Sequence, residues 1–260
     1  MWSLAIAIYA ACKVLTWMRT PVEAPPWKHL GYLFGWPGLD AASFLATPPA
    51  RPVPPPATRE WLAASGKAAL GIALLFGAVR LVPAAHPLIA GWIGMAGLVL
   101  TMHFGSFHLL SCAWRRAGVD AKPLMNAPLA APSLSEFWGR RWNTAFRDLT
   151  HRFLFRPIGA KLGVRGAILA GFIASGLVHD LVISVPAGGG YGGPTIFFVV
   201  QGVAMLAERS PVARTIGLGH GLPGWAFAMA VLVGPVFLLF HPPFVREIMV
   251  PFLHAIGARG

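Results

Sequence analysis

Charge is scarce in this sequence. Asp, Glu, Lys and Arg make up 12% of its 260 residues, about half the share of a soluble domain, so a solvated surface of ordinary size cannot be covered. Acidic groups are the scarcest, nine against 21 Lys and Arg, which leaves a formal net charge of +12. There are two cysteines, Cys12 and Cys112, each in or at the end of an apolar run. That excludes a disulfide framework and a thiolate metal cluster, and no metal is expected. A long polar block is missing too, so the expectation is one domain over residues 1–260. The opening Met-Trp-Ser lacks the positive region of a secretory signal, so residues 2–18 read as a retained span.

What is present is apolar. The chain is 56% hydrophobic with a mean hydropathy of +0.63. Apolar runs at 2–18, 66–82, 87–110, 166–185, 195–207 and 222–241 read as about six transmembrane helices. Residues 21–56, rich in Pro and Trp, are too broken by Gly and Pro to span and read as an interfacial or re-entrant segment with an extended linker. The fold class is therefore an all-α polytopic membrane protein. The basic residues do not form a nucleic-acid stripe. Between Arg115 and Arg165 ten Lys and Arg face Asp120, Glu136 and Asp148, which is the pattern of a cytoplasmic membrane face. This places 111–165 in the cytoplasm and the N-terminus outside, with Lys13 snorkelling toward the interface, and the expected setting is a bacterial inner membrane. Membrane lipids are the implied surroundings, nucleic acid is excluded, and oligomerisation is left open.

Two stretches carry chemistry. Over 133–156 a helical reading puts Leu134, Trp138, Trp142, Ala145, Leu149 and Phe153 on one face and Glu136, Arg140, Asn143 and Arg147 on another, an amphipathic interfacial helix capped by Ser133 or Ser135. On periodicity alone Asn143 is simply solvated. The helix 166–185 is lined with small residues that let neighbours approach closely, and it carries His179 and Asp180 past the middle of the membrane. An ionisable pair there is expensive and marks a functional site by default. Two readings stand at this point: His179 as the base for an alcohol attacking a carbonyl, or His179 hydrogen-bonded between helices with Asp180 facing a wet vestibule. Ser175 shares a face with His179 but lacks the exposing turn of a hydrolase serine. His103 and His108 lie on different faces, and His241 reads as a span-end residue among headgroups.

The residues Glu136-Phe-Trp-Gly-Arg-Arg-Trp-Asn143 and Ala174-Ser-Gly-Leu-Val-His-Asp180 resemble the signature pair of the membrane-bound O-acyltransferase superfamily. Gly35-Trp-Pro-Gly-Leu-Asp40 and Leu239-Phe-His-Pro-Pro-Phe244 are similar to its wax-synthase-like branch, over residues 30–250. The resemblance implies that His179 is catalytic, with Asn143 as the second functional position, and it implies a fold of that family's kind. It sets Trp138, Arg140, Arg141, Trp142 and Asp180 as substrate-binding candidates. Acyl-CoA is the implied donor and a long-chain alcohol or other lipid-like alcohol the acceptor, with no bound cofactor. Asp180 stands where relatives that make triacylglycerols or sterol esters commonly carry glutamate. A non-catalytic lipid-binding or transport protein using His179 and Asp180 is the alternative from a different class.

Overall fold

The computed structural model describes residues 2–260, apart from the side chains of Arg147, Asp148, Arg152 and Arg214. Among the described residues every regular element is helical. The main ones, in chain order, are α1 (Trp2–Met18), α2 (Pro26–Gly35), α3 (Ala41–Leu45), α4 (Thr58–Leu81), α5 (Pro87–Arg116), α6 (Thr144–Thr150), α7 (Phe153–Ala187), α8 (Gly193–Glu208), α9 (Gly221–Leu239) and α10 (Val250–Ala255). Four of them, α4, α5, α7 and α9, are long and apolar enough to cross a membrane. With α1 at 17 residues and α8 at 16, each of the six apolar runs falls on a helix. The protein is an integral membrane protein, its helices leaving Phe34, Leu62, Leu81, Leu177 and Phe237 exposed on their outer faces, as lipid-facing helices do.

The chain divides into two compact units, Trp2–Met125 with Met249–Gly260, and Asn126–Ile248. In the first, α4 and α5 meet through small residues. A Cβ on Gly71 would lie 2.5 Å from the Thr101 nitrogen and one on Gly105 2.7 Å from Ala68 Cα, so the two backbones are nearly in contact. Lys13 corrects the snorkelling expectation. It is 2% exposed, donates to the Trp36 and Gly38 carbonyls and stands 3.4 Å over the Tyr32 ring. The short helices α2 and α3 bring those acceptors to it, so the ammonium is solvated by protein rather than by the interface. Lys28 is held likewise by Ala46 O and Thr47 Oγ1 at 2.7 and 2.9 Å, and burial lowers its pKa. A polar clamp joins α4 to α5. Arg115 pairs with Glu60 at 2.5 Å, and Lys67 lies 3.0 Å from His108 Nδ1. Glu60, His108 and Cys112 are of metal-ligand type and close together, but two cations already face them.

In the second unit α7 and α8 are the central pair. A Cβ on Gly176 would lie 2.6 Å from Thr195 Cα, and one on Gly202 3.0 Å from the Phe172 ring. The expected fourth span, 166–185, begins earlier, because α7 runs from Phe153 to Ala187 with a non-helical break at Gly163 (φ 67°, ψ 178°). The expected sixth, 222–241, is regular only to Val233. Pro235 has no N–H to continue the ladder, and Val236–Leu239 forms a separate turn. The single amphipathic helix expected over 133–156 is also corrected. Leu134–Glu136 gives way to a wide i→i+5 turn, Phe137–Arg141. The chain is then extended at Trp142 and left-handed at Asn143 (φ 40°) before α6 begins.

Candidate active site

His179 ends the α-helical stretch of α7 that follows the break at Gly163. Fourteen residues separate it from Arg165, roughly 21 Å of helix, so it lies deep in the apolar part of the span. Its Nδ1 is 2.7 Å from the carbonyl oxygen of Ser175. A carbonyl only accepts, so Nδ1 carries the proton and the neutral ring keeps its lone pair at Nε2. Ser175 thus contributes its backbone, one helical turn back, to setting the histidine tautomer. The imidazole packs on Phe198, ring centroids 4.5 Å apart.

Asp180, half-buried, turns its carboxylate toward the start of α8. Its Oδ1 accepts from Ser184 Oγ and the Gly192 N–H, each at 2.8 Å. Its Oδ2 accepts from the Thr195 N–H at 3.0 Å and from the Thr195 hydroxyl. The first turn of a helix presents free N–H groups and a positive dipole end, and this carboxylate takes both. Directly after His179 the chain makes another wide turn, Asp180–Ser184. The turn puts Ser184 within reach of Asp180 and also of His241 Nε2, at 3.1 Å. His241 is 5% exposed, which corrects its placing among headgroups. The glycine-rich loop folds over it so closely that a Cβ on Gly190 would lie 2.3 Å from the ring.

The signature segment is anchored to the other end of α8. Glu208, 3% exposed, accepts from the Leu134 and Ser135 N–H groups at 2.8 and 2.7 Å and from Ser135 Oγ at 2.5 Å. Ser133 Oγ accepts from the Glu136 N–H at 3.0 Å, the cap expected from the sequence. From there an aromatic series runs inward. Trp142 stacks on Phe137 (5.5 Å, 12°), Phe137 meets Trp138 edge-on at 5.0 Å, and Trp138 reaches Phe198 at 5.7 Å, the ring that also meets His179. Trp138 Nε1 points at Gln201 Oε1, 3.4 Å away, and Gln201 Nε2 donates to Val231 O on α9 at 2.8 Å. Behind them lies an apolar cluster of Leu134, Phe137, Ile168, Met205, Ala228 and Leu232.

The remaining candidates divide. Arg141 is committed to Glu136, 2.6 Å away, and to the Asn126 and Ala127 carbonyls, so it braces the turn. Arg140 is exposed. The Arg147 side chain lies outside the described residues. Asn143 sits at the bend just past Trp142, its carbonyl accepting from Phe146 N at 3.1 Å. Sequence reasoning missed Phe198, Gln201, Ser184 and Glu208. The signals were one amide and one acid in an otherwise apolar run, 193–208, and each reads alone as a tolerated exception.

A half-buried imidazole with one nitrogen fixed, packed on Phe198 inside a helical membrane protein, has the form that an acid–base site in a membrane would take. Residues 121–200 match the model of the membrane bound O-acyl transferase family. Both signature motifs lie within that stretch. A long-chain-alcohol O-fatty-acyltransferase of Simmondsia chinensis is 32% identical over 150 residues, covering 50% of this chain and 40% of that protein. Two proteins of Arabidopsis thaliana, probable long-chain-alcohol O-fatty-acyltransferases 9 and 2, are 31% and 35% identical over 147 and 146 residues, covering 51% and 50% of this chain and 43% and 41% of theirs. These relatives agree with the wax-synthase-like resemblance, and the chain spans less than half of their length. No solved structure is a significant match.

Proposed function

We propose that this protein is an integral-membrane O-acyltransferase that moves a fatty acyl group from acyl-CoA to the hydroxyl of a long-chain or other lipid-like alcohol. The observation that carries the reading is the His179 tautomer. With Nδ1–H held by the Ser175 carbonyl, Nε2 is the nitrogen that can accept a proton. The alcohol O–H bond breaks as its oxygen attacks the thioester carbonyl, and His179 takes the proton. The C–S bond then breaks, the ester forms, and the proton passes to the departing thiolate to give free CoA. Asn143 would donate to the oxyanion of the tetrahedral stage, a contribution of about 3–4 kcal/mol in comparable sites. The apolar, aromatic surroundings of His179 suit an acceptor that arrives dissolved in the bilayer. The names of the plant relatives support a long-chain alcohol.

The donor carries phosphates, so a basic face should meet it. Arg140, exposed on the turn before Asn143, is the candidate contact, and Trp138 and Trp142 would flank the acyl chain. No bound cofactor enters the mechanism. We place the basic stretch 111–165 on the cytoplasmic side of a bacterial inner membrane, with the N-terminus outside, although the relatives are plant proteins.

The test is thiol release from palmitoyl-CoA by membranes holding equal amounts of wild type or His179→Ala, across a panel of alcohols. Release that needs an added alcohol and vanishes in the variant is expected, and the best alcohol then names the acceptor. Equal background release from both proteins with every donor and alcohol would remove the catalytic role of His179.

A further inference from the structure

We propose that His241 is a positioning residue for the His179 site. Acting through Ser184 and Asp180, it fixes the N-terminus of α8 and with it Phe198 against the His179 ring. The hydrogen bonds define a direction. Phe244 N–H donates to His241 Nδ1 at 3.2 Å, so Nδ1 has no proton and the neutral ring carries its proton on Nε2. That nitrogen donates to Ser184 Oγ, 3.1 Å away. The serine hydroxyl then donates to Asp180 Oδ1 at 2.8 Å, and Asp180 accepts the N–H groups of Gly192, just before α8, and of Thr195 in its first turn. Three residues beyond Thr195 on the same helix is Phe198.

The geometry excludes a second catalytic centre here. Serine stands between histidine and aspartate, its proton goes to the carboxylate, and Ser184 is fully buried, so it is not a nucleophile. The chain works only with a neutral ring. A second proton would sit on Nδ1 and confront the Phe244 N–H. Asp180 is the charged group at the far end of the chain, and the other faces of the ring meet Gly190 and Gly193.

Two variants separate the roles of the ring. His241→Asn keeps an acceptor for Phe244 N–H, as Asn does at helix caps, but cannot reach Ser184. His241→Gln reaches Ser184 with an N–H donor and gives up the cap. Hydrogen exchange of the segment 188–198 and the kcat and KM of alcohol-dependent thiol release are then compared in wild type, both variants and Ser184→Ala. Expected are roughly tenfold faster exchange and a kcat about tenfold lower at unchanged KM in His241→Asn and Ser184→Ala, with His241→Gln closer to wild type in both. Wild-type exchange and kcat in His241→Asn overturn the proposal, as does a His241→Gln no better than His241→Asn. Should His241→Asn fail to fold, wild-type exchange in Ser184→Ala overturns it alone. The inference rests on the acyl-transfer reading, and exchange separates the two. A wild type that releases no thiol removes that reading, while the exchange rates still decide the hydrogen-bond chain.

Discussion

Asn143 has a backbone role and a side-chain role, and the two separate by substitution. Its φ of 40° lies in the left-handed region, which Asn tolerates better than most residues and Gly occupies freely. Asn143→Gly should therefore keep the bend between the wide turn and α6, while removing the amide assigned to the oxyanion. Thermal stability close to wild type is expected, with kcat lower by about 10²-fold. Asn143→Ala should add a backbone penalty of about 1–2 kcal/mol to the same catalytic loss. A wild-type rate in Asn143→Gly would take the side chain out of the chemistry. The sequence made His179 and Asn143 legible as a motif pair. It could not show that the bend is left-handed, because period counting assumes one conformation throughout, and a turn widened at Phe137–Arg141 shifts the register of every residue after it.

The helix that organises the second unit carries neither motif. α8 holds Asp180 at its first turn, Phe198 along its length and Glu208 at its end, so it spaces the histidine segment from the signature segment. Its apolar run was legible, but its anchoring was not, since both carboxylates are held in part by backbone N–H groups, which have no sequence signature. Glu208→Ala should strand the buried Leu134 N–H, worth about 1–3 kcal/mol when unsatisfied, and the half-buried Ser135 N–H beside it. Thermal unfolding in detergent, followed by tryptophan fluorescence, should show a lower midpoint. Glu208→Gln, which retains an acceptor oxygen, should lose less. Equal midpoints for wild type and Glu208→Ala would mean that the signature segment is held by its apolar contacts alone. Apolar runs predicted helices here because helices satisfy their own backbone in lipid. The breaks at Gly163, Asn143 and Pro235 arise from local backbone chemistry that run counting averages away.

Orientation in the membrane is decided by charge at helix ends, and α7 isolates the question in one element. It has 35 residues, about 52 Å of helix against a hydrocarbon core of about 30 Å, so part of it must lie outside the core. The break at Gly163 divides it there. The arm before the break carries Arg156 and Lys161, Arg165 follows just after, and the uncharged loop 188–194 lies beyond the other end. Holding several basic residues on the cytoplasmic side is the stronger constraint, and the proposed orientation therefore has Lys161 inside and Tyr191 outside. Both positions are exposed. With Cys12 and Cys112 replaced by serine, single cysteines at Lys161 and Tyr191 can be probed with a membrane-impermeant maleimide. Tyr191→Cys should label on intact cells, and Lys161→Cys only after permeabilisation. The opposite pattern would place the basic face outside, where cytosolic acyl-CoA cannot meet it. The donor would then have to be found on the other side of the membrane.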